Sequence, residues 1–207
     1  MKKRLFCMFL ALIMSFSLGT MAFADNTANM FIPPETMTGT ITADDGKQIS
    51  ITGTLVNMAR PMSVTSNEIS ATYKYLVPDA SVIFSGDHTM TGQDTGQSSI
   101  VYLTISYKYT QDLPTMHLLT SVSGYWVMTD AKASVESASV TYGCSHLAGI
   151  PQTGSANVSN YFDISTGFDT YIYEELGVMG CTLTVNYIMG SSRRWSTTFT
   201  NNLFNNP

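Results

Sequence analysis

Histidine, cysteine and carboxylate side chains carry most enzyme chemistry, and this sequence places few of them to cooperate. Its three histidines, His88, His117 and His146, each stand alone in their segments. Neither His-Glu-x-x-His nor Cys-x-x-Cys occurs, so no metal site is written into a local spacing. Gly-x-Ser-x-Gly and Gly-rich phosphate loops are absent as well, which removes the usual signatures of serine esterases and nucleotide hydrolases. Cys144 and His146 share a strand face at i, i+2, but no orienting carboxylate follows nearby. No catalytic residue, metal or cofactor is therefore expected.

Carboxylates leave one alternative open. Glycoside hydrolysis needs only two acids at a set separation and has no local motif, so a secreted glycoside-directed hydrolase with paired carboxylates is the main competing expectation. Glu174 and Glu175 are adjacent and on a strand would face opposite ways. Asp163 and Asp169 flank a Ser-Thr-Gly turn, where Asp commonly bonds nearby backbone. Asp44 and Asp45, or Asp87 and Asp94, offer loop oxygens to calcium, but EF-hand spacing is not met and turn chemistry explains Asp44–Gly46 without a metal.

Aromatic side chains are the richer resource: eleven tyrosines, ten phenylalanines and two tryptophans. Tyr73 and Tyr75, Tyr107 and Tyr109, and Tyr171 and Tyr173 are spaced by two and on a strand form rows on one face. Such rows stack against sugar rings or a protein partner, although strand aromatics more commonly face a core. Tyr125 and Trp126, together with Arg193, Arg194 and Trp195 at a hairpin tip, are the expected ligand-binding residues. A cation beside an aromatic ring suits an anionic or glycan ligand. The partner expected from this pattern is a glycan or an extracellular protein.

The charge balance excludes another class. Lys2, Lys3 and Arg4 open the chain, and beyond them only seven basic residues face fifteen acids. Nucleic-acid affinity draws on clustered Lys and Arg that release counterions, and this chain cannot supply such a patch. Met1 to Ala24 reads as a bacterial-type secretory signal, with a basic start, an apolar stretch from Leu5 to about Leu18, and small residues at Ala22 and Ala24. A secreted, extracellular protein with no stable membrane span after cleavage is expected.

The elements that must position these residues are strands. Val101, Leu103, Ile105, Tyr107 and Tyr109 fall on one face of Ile100–Tyr109, with Tyr102, Thr104, Ser106 and Lys108 on the other. Gly180–Met189 repeats the pattern with Cys181, Leu183, Val185, Tyr187 and Met189. A turn at Gly190–Arg193 leads to Trp195, Thr197 and Phe199. Met37–Thr42 and Gln48–Val56 flank Asp44-Asp45-Gly46, a hairpin turn. Further strands are expected at Ile69–Val77, Ser81–Ser85, Met116–Val122, Tyr125–Met128, Ala133–Tyr142, Val158–Ile164 and Phe168–Tyr173, with a helical turn as the alternative at Asp130–Glu136.

Turn signals every eight to twelve residues or so suit an all-β, single-domain antiparallel β-sandwich, Greek-key or jelly-roll-like, with little or no helix. The expected organisation is a signal at 1–24, a flexible lead-in at 25–35 and a β domain at 36–207. Tyr142-Gly143-Cys144 has the spacing of an immunoglobulin tyrosine corner, but Trp126 precedes both cysteines where that fold places one first. Cys144 and Cys181 could bridge in an oxidising compartment, closing a loop of about 38 residues worth roughly 4 kcal/mol. Ser/Thr-rich alternation also fits a β-pore-forming protein, a third and weaker alternative.

Overall fold

A computed structural model describes residues 31–59, 67–79, 83, 96–110, 116–146 and 149–205. The chain divides into Met1–Ile32 and Pro33–Pro207, and every strand named below belongs to the second unit. The expected signal, residues 25–30 of the lead-in, Asp87, His88, Asp94 and most of Ser81–Ser85 lie outside the described residues. Within Ser81–Ser85, Ile83 departs from the expected strand. Its N–H donates to the Asp79 carbonyl at 3.2 Å, an i to i−4 helical bond.

Eleven strands are present among the described residues: β1 (Thr36–Ala43), β2 (Gln48–Ala59), β3 (Glu68–Pro78), β4 (Gln97–Tyr109), β5 (Met116–Met128), β6 (Ala133–His146), β7 (Gln152–Asn157), β8 (Tyr161–Ser165), β9 (Ile172–Tyr173), β10 (Gly177–Met189) and β11 (Arg193–Asn205). All pair antiparallel in one sheet of order β7-β6-β10-β11-β1-β2-β3-β4-β5-β8, with β9 also on β5. The all-β, single-domain expectation holds, and the sheet curls upon itself. The described strands form one continuous sheet, not two, and its arcs at β3–β4 and β10–β11 meet across the core.

Period-two patterning makes this geometry. Val101, Leu103, Ile105 and Tyr107 of β4 are buried, as are Cys181, Leu183, Val185 and Tyr187 of β10, while the intervening Thr104, Thr182 and Thr184 are partly exposed. An apolar inside and a hydroxyl-rich outside is the reverse of a membrane-spanning barrel, whose lipid face must be apolar. Among the described residues no helix is long and apolar enough to cross a membrane.

Buried polar groups pin the two arcs together. Asn201 on β11 accepts from the Tyr75 hydroxyl at 2.6 Å and donates to the Leu103 carbonyl at 3.1 Å. Ser99 on β4 and Tyr187 on β10 pair hydroxyls at 2.9 Å. Each bond satisfies groups that would otherwise carry the desolvation cost of burial. Tyr75 reaches Asn201 across Gly53, whose position could not carry a Cβ: it would lie 2.4 Å from the tyrosine ring.

Several local expectations need correction. Met116–Val122 and Tyr125–Met128 are one strand, β5, because Ser123 and Gly124 continue the ladder opposite Thr104 and Leu103. Asp130–Glu136 is a turn followed by β6, with Asp130 Oδ1 accepting from the Lys132 N–H at 2.8 Å. Val158–Asn160 is a connection between β7 and β8, and Phe168–Tyr171 runs outside any ladder. Glu174 and Glu175 lie in a 3-10 turn, Glu174–Leu176, rather than on a strand.

The expected Cys144–Cys181 bridge is not formed, and both thiols are free and buried. In the β6–β10 ladder Cys144 faces Met179 and Cys181 faces Tyr142, so the cysteines are diagonal rather than directly opposed. Diagonal Cβ atoms stand roughly 7–8 Å apart, too far to bridge without backbone movement.

At the β1–β2 hairpin the expected turn chemistry is present. The Gly46 N–H donates to the Ala43 carbonyl at 3.0 Å with Gly46 at φ 84°, and Asp45 accepts from the Lys47 N–H at 3.0 Å. A similar side-chain device spans the ends of the sheet. Gln152 on β7 donates to Asp169 at 2.6 Å and accepts from the Thr170 N–H at 3.3 Å, tying that edge to the β8–β9 connection.

Candidate functional site

Strand alternation decides where the expected ligand-binding residues go. Tyr125 and Trp126 are neighbours on β5 and so face opposite ways. Tyr125 is 41% exposed, whereas Trp126 faces the core at 7%. Trp195 is buried too, at 2%, and stacks on Tyr187 with centroids 5.1 Å apart and planes 8° from parallel. Both tryptophans are therefore core residues, correcting their assignment to a ligand surface. Burial follows from their phase: Trp126 pairs with Val101 and Trp195 with Tyr187, both inward positions.

Arg193 and Arg194 are exposed at the β10–β11 hairpin. Arg194 pairs with Glu136 through Nε at 3.2 Å and a terminal nitrogen at 3.3 Å. That guanidinium therefore links β11 to β6 through Glu136. Tyr125 and the hairpin belong to strands that are not neighbours in the sheet order.

Tyr125 instead joins two tyrosines that local spacing did not associate with it. It lies directly opposite Tyr102 on β4 and Tyr161 on β8, giving a row Tyr102–Tyr125–Tyr161 across three strands on the outer face. Tyr102 and Tyr125 stack with centroids 4.6 Å apart and an interplanar angle of 15°. Tyr161 is 67% exposed. Lys74, opposite Tyr102, ends the row on β3.

The flanking rows differ in chemistry. On one side Leu76, Ile100 and Val127 face one another on β3, β4 and β5, and none is buried. On the other side Thr72, Thr104, Ser123 and Asp163 follow one another across β3, β4, β5 and β8. The hydroxyls of Thr72 and Thr104 are 2.9 Å apart. Because Tyr102 and Tyr125 turn their faces to each other, a ligand lying along the row meets ring edges and phenol hydroxyls, an apolar strip on one side, and hydroxyls with a carboxylate on the other. Phenol hydroxyls add donors and acceptors on a rigid frame, and neighbouring strands set ring spacing at roughly 4.7–4.9 Å.

The tyrosine pairs read from spacing do other work. Tyr73, Tyr75 and Tyr107 are wholly buried, and burial pushes the phenols of Tyr73 and Tyr75 above their ordinary range. Tyr171 and Tyr173 lie at the β9 connection, off the row. The cue for the true row was partial: alternation along β4 puts Tyr102 on the outer face, but its partners are 23 and 59 residues away and only register brings them together.

Among the described residues, no histidine joins Asp163 beside the tyrosine row. Asp169 is engaged by Gln152 and by Thr170 at 3.1 Å, contacts that hold its carboxyl below the usual range. His117 is buried beneath β9, with Glu174 Oε2 3.6 Å from Nε2. Its ring lies 5.7 Å from that of Tyr107 and 5.2 Å from that of Phe204. Among the described residues, no three His, Cys, Asp or Glu side chains gather as a metal site would require. Comparison with protein-family models, with curated proteins and with solved structures returns no match.

Proposed function

We propose that this chain is a secreted carbohydrate-binding module that grips an extracellular or cell-envelope glycan along Tyr102, Tyr125 and Tyr161. The observation that carries the reading is the cross-strand row itself, with Tyr102 and Tyr125 stacked and Tyr161 two-thirds exposed. Tyr161 leaves a large ring mostly exposed, and its open face together with the phenol hydroxyls of the row suits the apolar face and hydroxyl rim of a pyranose. Asp163 and Lys74, at the margins, would select orientation through hydrogen bonds. Secretion rests on the basic-apolar-small pattern of Met1–Ala24.

The test is a pull-down of the chain from Asp25 on insoluble and immobilised polysaccharides, with Tyr125→Ala and Tyr161→Ala measured beside it. Retention by a sugar polymer that either variant loses while keeping its β-sheet circular dichroism supports the proposal. Retention unchanged in both variants, or no retention by any polymer, overturns it. In the latter case the same exposed Tyr-Val-Ile surface becomes a candidate contact for an extracellular protein, since aromatic residues also anchor protein interfaces.

A further inference from the structure

A second surface, at the opposite end of the strand order, has a different chemistry. Two Gly-Cys dipeptides, Gly143-Cys144 on β6 and Gly180-Cys181 on β10, meet so that the glycines are directly paired. The cysteines face the core, and the glycines leave two adjacent outward positions without side chains. Thr153 faces Gly143 from β7, and Asn202 faces Gly180 from β11, closing the two ends. Thr141 and Thr182 pair along one flank, Ser145 and Val178 along the other. The resulting notch has a volume of about 570 Å³.

The glycines are required as well as permitted. A Cβ at Gly180 would lie 2.3 Å from Asn202 Oδ1 and 2.6 Å from the Asn201 carbonyl oxygen, so the Asn202 amide rests over that α-carbon. A Cβ at Gly143 would meet the Gln152 carbonyl oxygen at 2.9 Å. Any other residue at either place would both disturb the ladder and fill the notch.

The lining chooses the occupant. None of the residues around the notch carries a charged side chain. An anion would lack a cationic partner there and a metal ion would lack carboxylates. What the notch offers is hydroxyls from Thr141, Thr153 and Thr182, the Asn202 amide over Gly180, and the apolar surface of Val178 and the Gly143 backbone. Its volume falls within the roughly 300–1,000 Å³ of small-molecule sites. We infer that the Gly143–Gly180 notch is a binding site for a neutral, polyhydroxylated pyranose unit, separate from the tyrosine row. The sugar's C–H face lies on Gly143 and Val178, while its ring hydroxyls exchange hydrogen bonds with the threonines and with the Asn202 amide that covers Gly180. The site does not depend on the tyrosine row, so either can fail alone.

The experiment is a 15N-1H NMR titration of the chain from Asp25 with four soluble probes: cello-, xylo-, manno- and chito-oligosaccharides. The amides of Gly143, Gly180 and Thr182 report the notch, and that of Gly124 reports the tyrosine row. Saturable shifts at the notch amides with at least one probe are expected. In Thr141→Val/Thr182→Val, which keeps side-chain shape and removes two hydroxyls, that binding should weaken about tenfold. The variant's own spectrum verifies its fold. If no probe moves the notch amides, or the double variant binds as tightly as the parent chain, the inference is overturned, whatever Gly124 shows.

Discussion

Single side chains set what this molecule does at neutral pH and what it loses in acid. Trp126 and Trp195 are core residues, so replacing either with Ala should cost about 3–5 kcal/mol of stability in urea unfolding. Tyr161→Ala removes a mostly exposed ring and should stay within about 0.5 kcal/mol of the parent. Equal losses in all three variants would contradict the burial of the two tryptophans. His117 gives the pH dependence. Burial lowers its pKa to about 4 from the ordinary 6.5. Between those values the unfolded chain binds a proton that the folded chain excludes. His117's contribution is therefore intact above pH 6.5 and falls away as pH drops toward 4, by up to about 3 kcal/mol. Glu174 opposes this. Burial and neighbouring Glu175 raise its pKa, so its folded form is favoured on the acid side and loses that advantage as pH rises, but its side chain is 41% exposed and solvent weakens the effect. Denaturation midpoints from pH 7 to pH 4 should fall in the parent chain and fall less in His117→Gln; parallel curves would remove His117 as the cause.

Strands and their connections divide the work between register and closure. The β1–β2 hairpin depends on Gly46 at φ 84°, where any Cβ is strained although nothing lies within 4 Å of it. Gly46→Ala should thus cost about 1–2 kcal/mol by conformation alone, measurable by thermal melting. The seam between β7 and the β8–β9 connection is held by the Gln152–Asp169–Thr170 contacts. Gln152→Ala should raise hydrogen exchange in β7 more than in β10, because a local clasp rather than the central ladder is lost. Uniform exchange across both strands would show that the clasp carries no local stability. Alternation made β4, β10 and the two terminal hairpins legible from sequence. It missed β7, rich in Ser, Thr and Gly, and began β8 and β9 too early, because these short segments take their pairing from longer neighbours.

At the scale of the whole molecule, the curled sheet encloses both cysteines. Burial raises the Cys144 thiol above its ordinary range and pushes that of Cys181 up to about 12. A thiolate is the reactive form, so neither cysteine should react with maleimide in the native state, and both should react once the chain is unfolded. Intact mass spectrometry counting adducts would read this directly, and absence of adducts after unfolding would reveal a bridge. The strand order sets the tyrosine row, on β4, β5 and β8, apart from the glycine notch, on β6 and β10, so the two proposed sites can be tested separately.

Composition and period two by themselves determined an all-β chain, its core face along the long strands, and the outward place of Tyr102, because side-chain alternation is a property of each strand alone. The tyrosine row, the opposed glycines and the diagonal cysteines were decided only by tertiary structure. Each depends on which residue stands across from which on another strand, and bulges such as those at Ser106/Tyr107 and Asn186/Tyr187 shift that count by one. A one-residue shift exchanges inside for outside, which is why Trp126, adjacent to an exposed tyrosine in sequence, is part of the core.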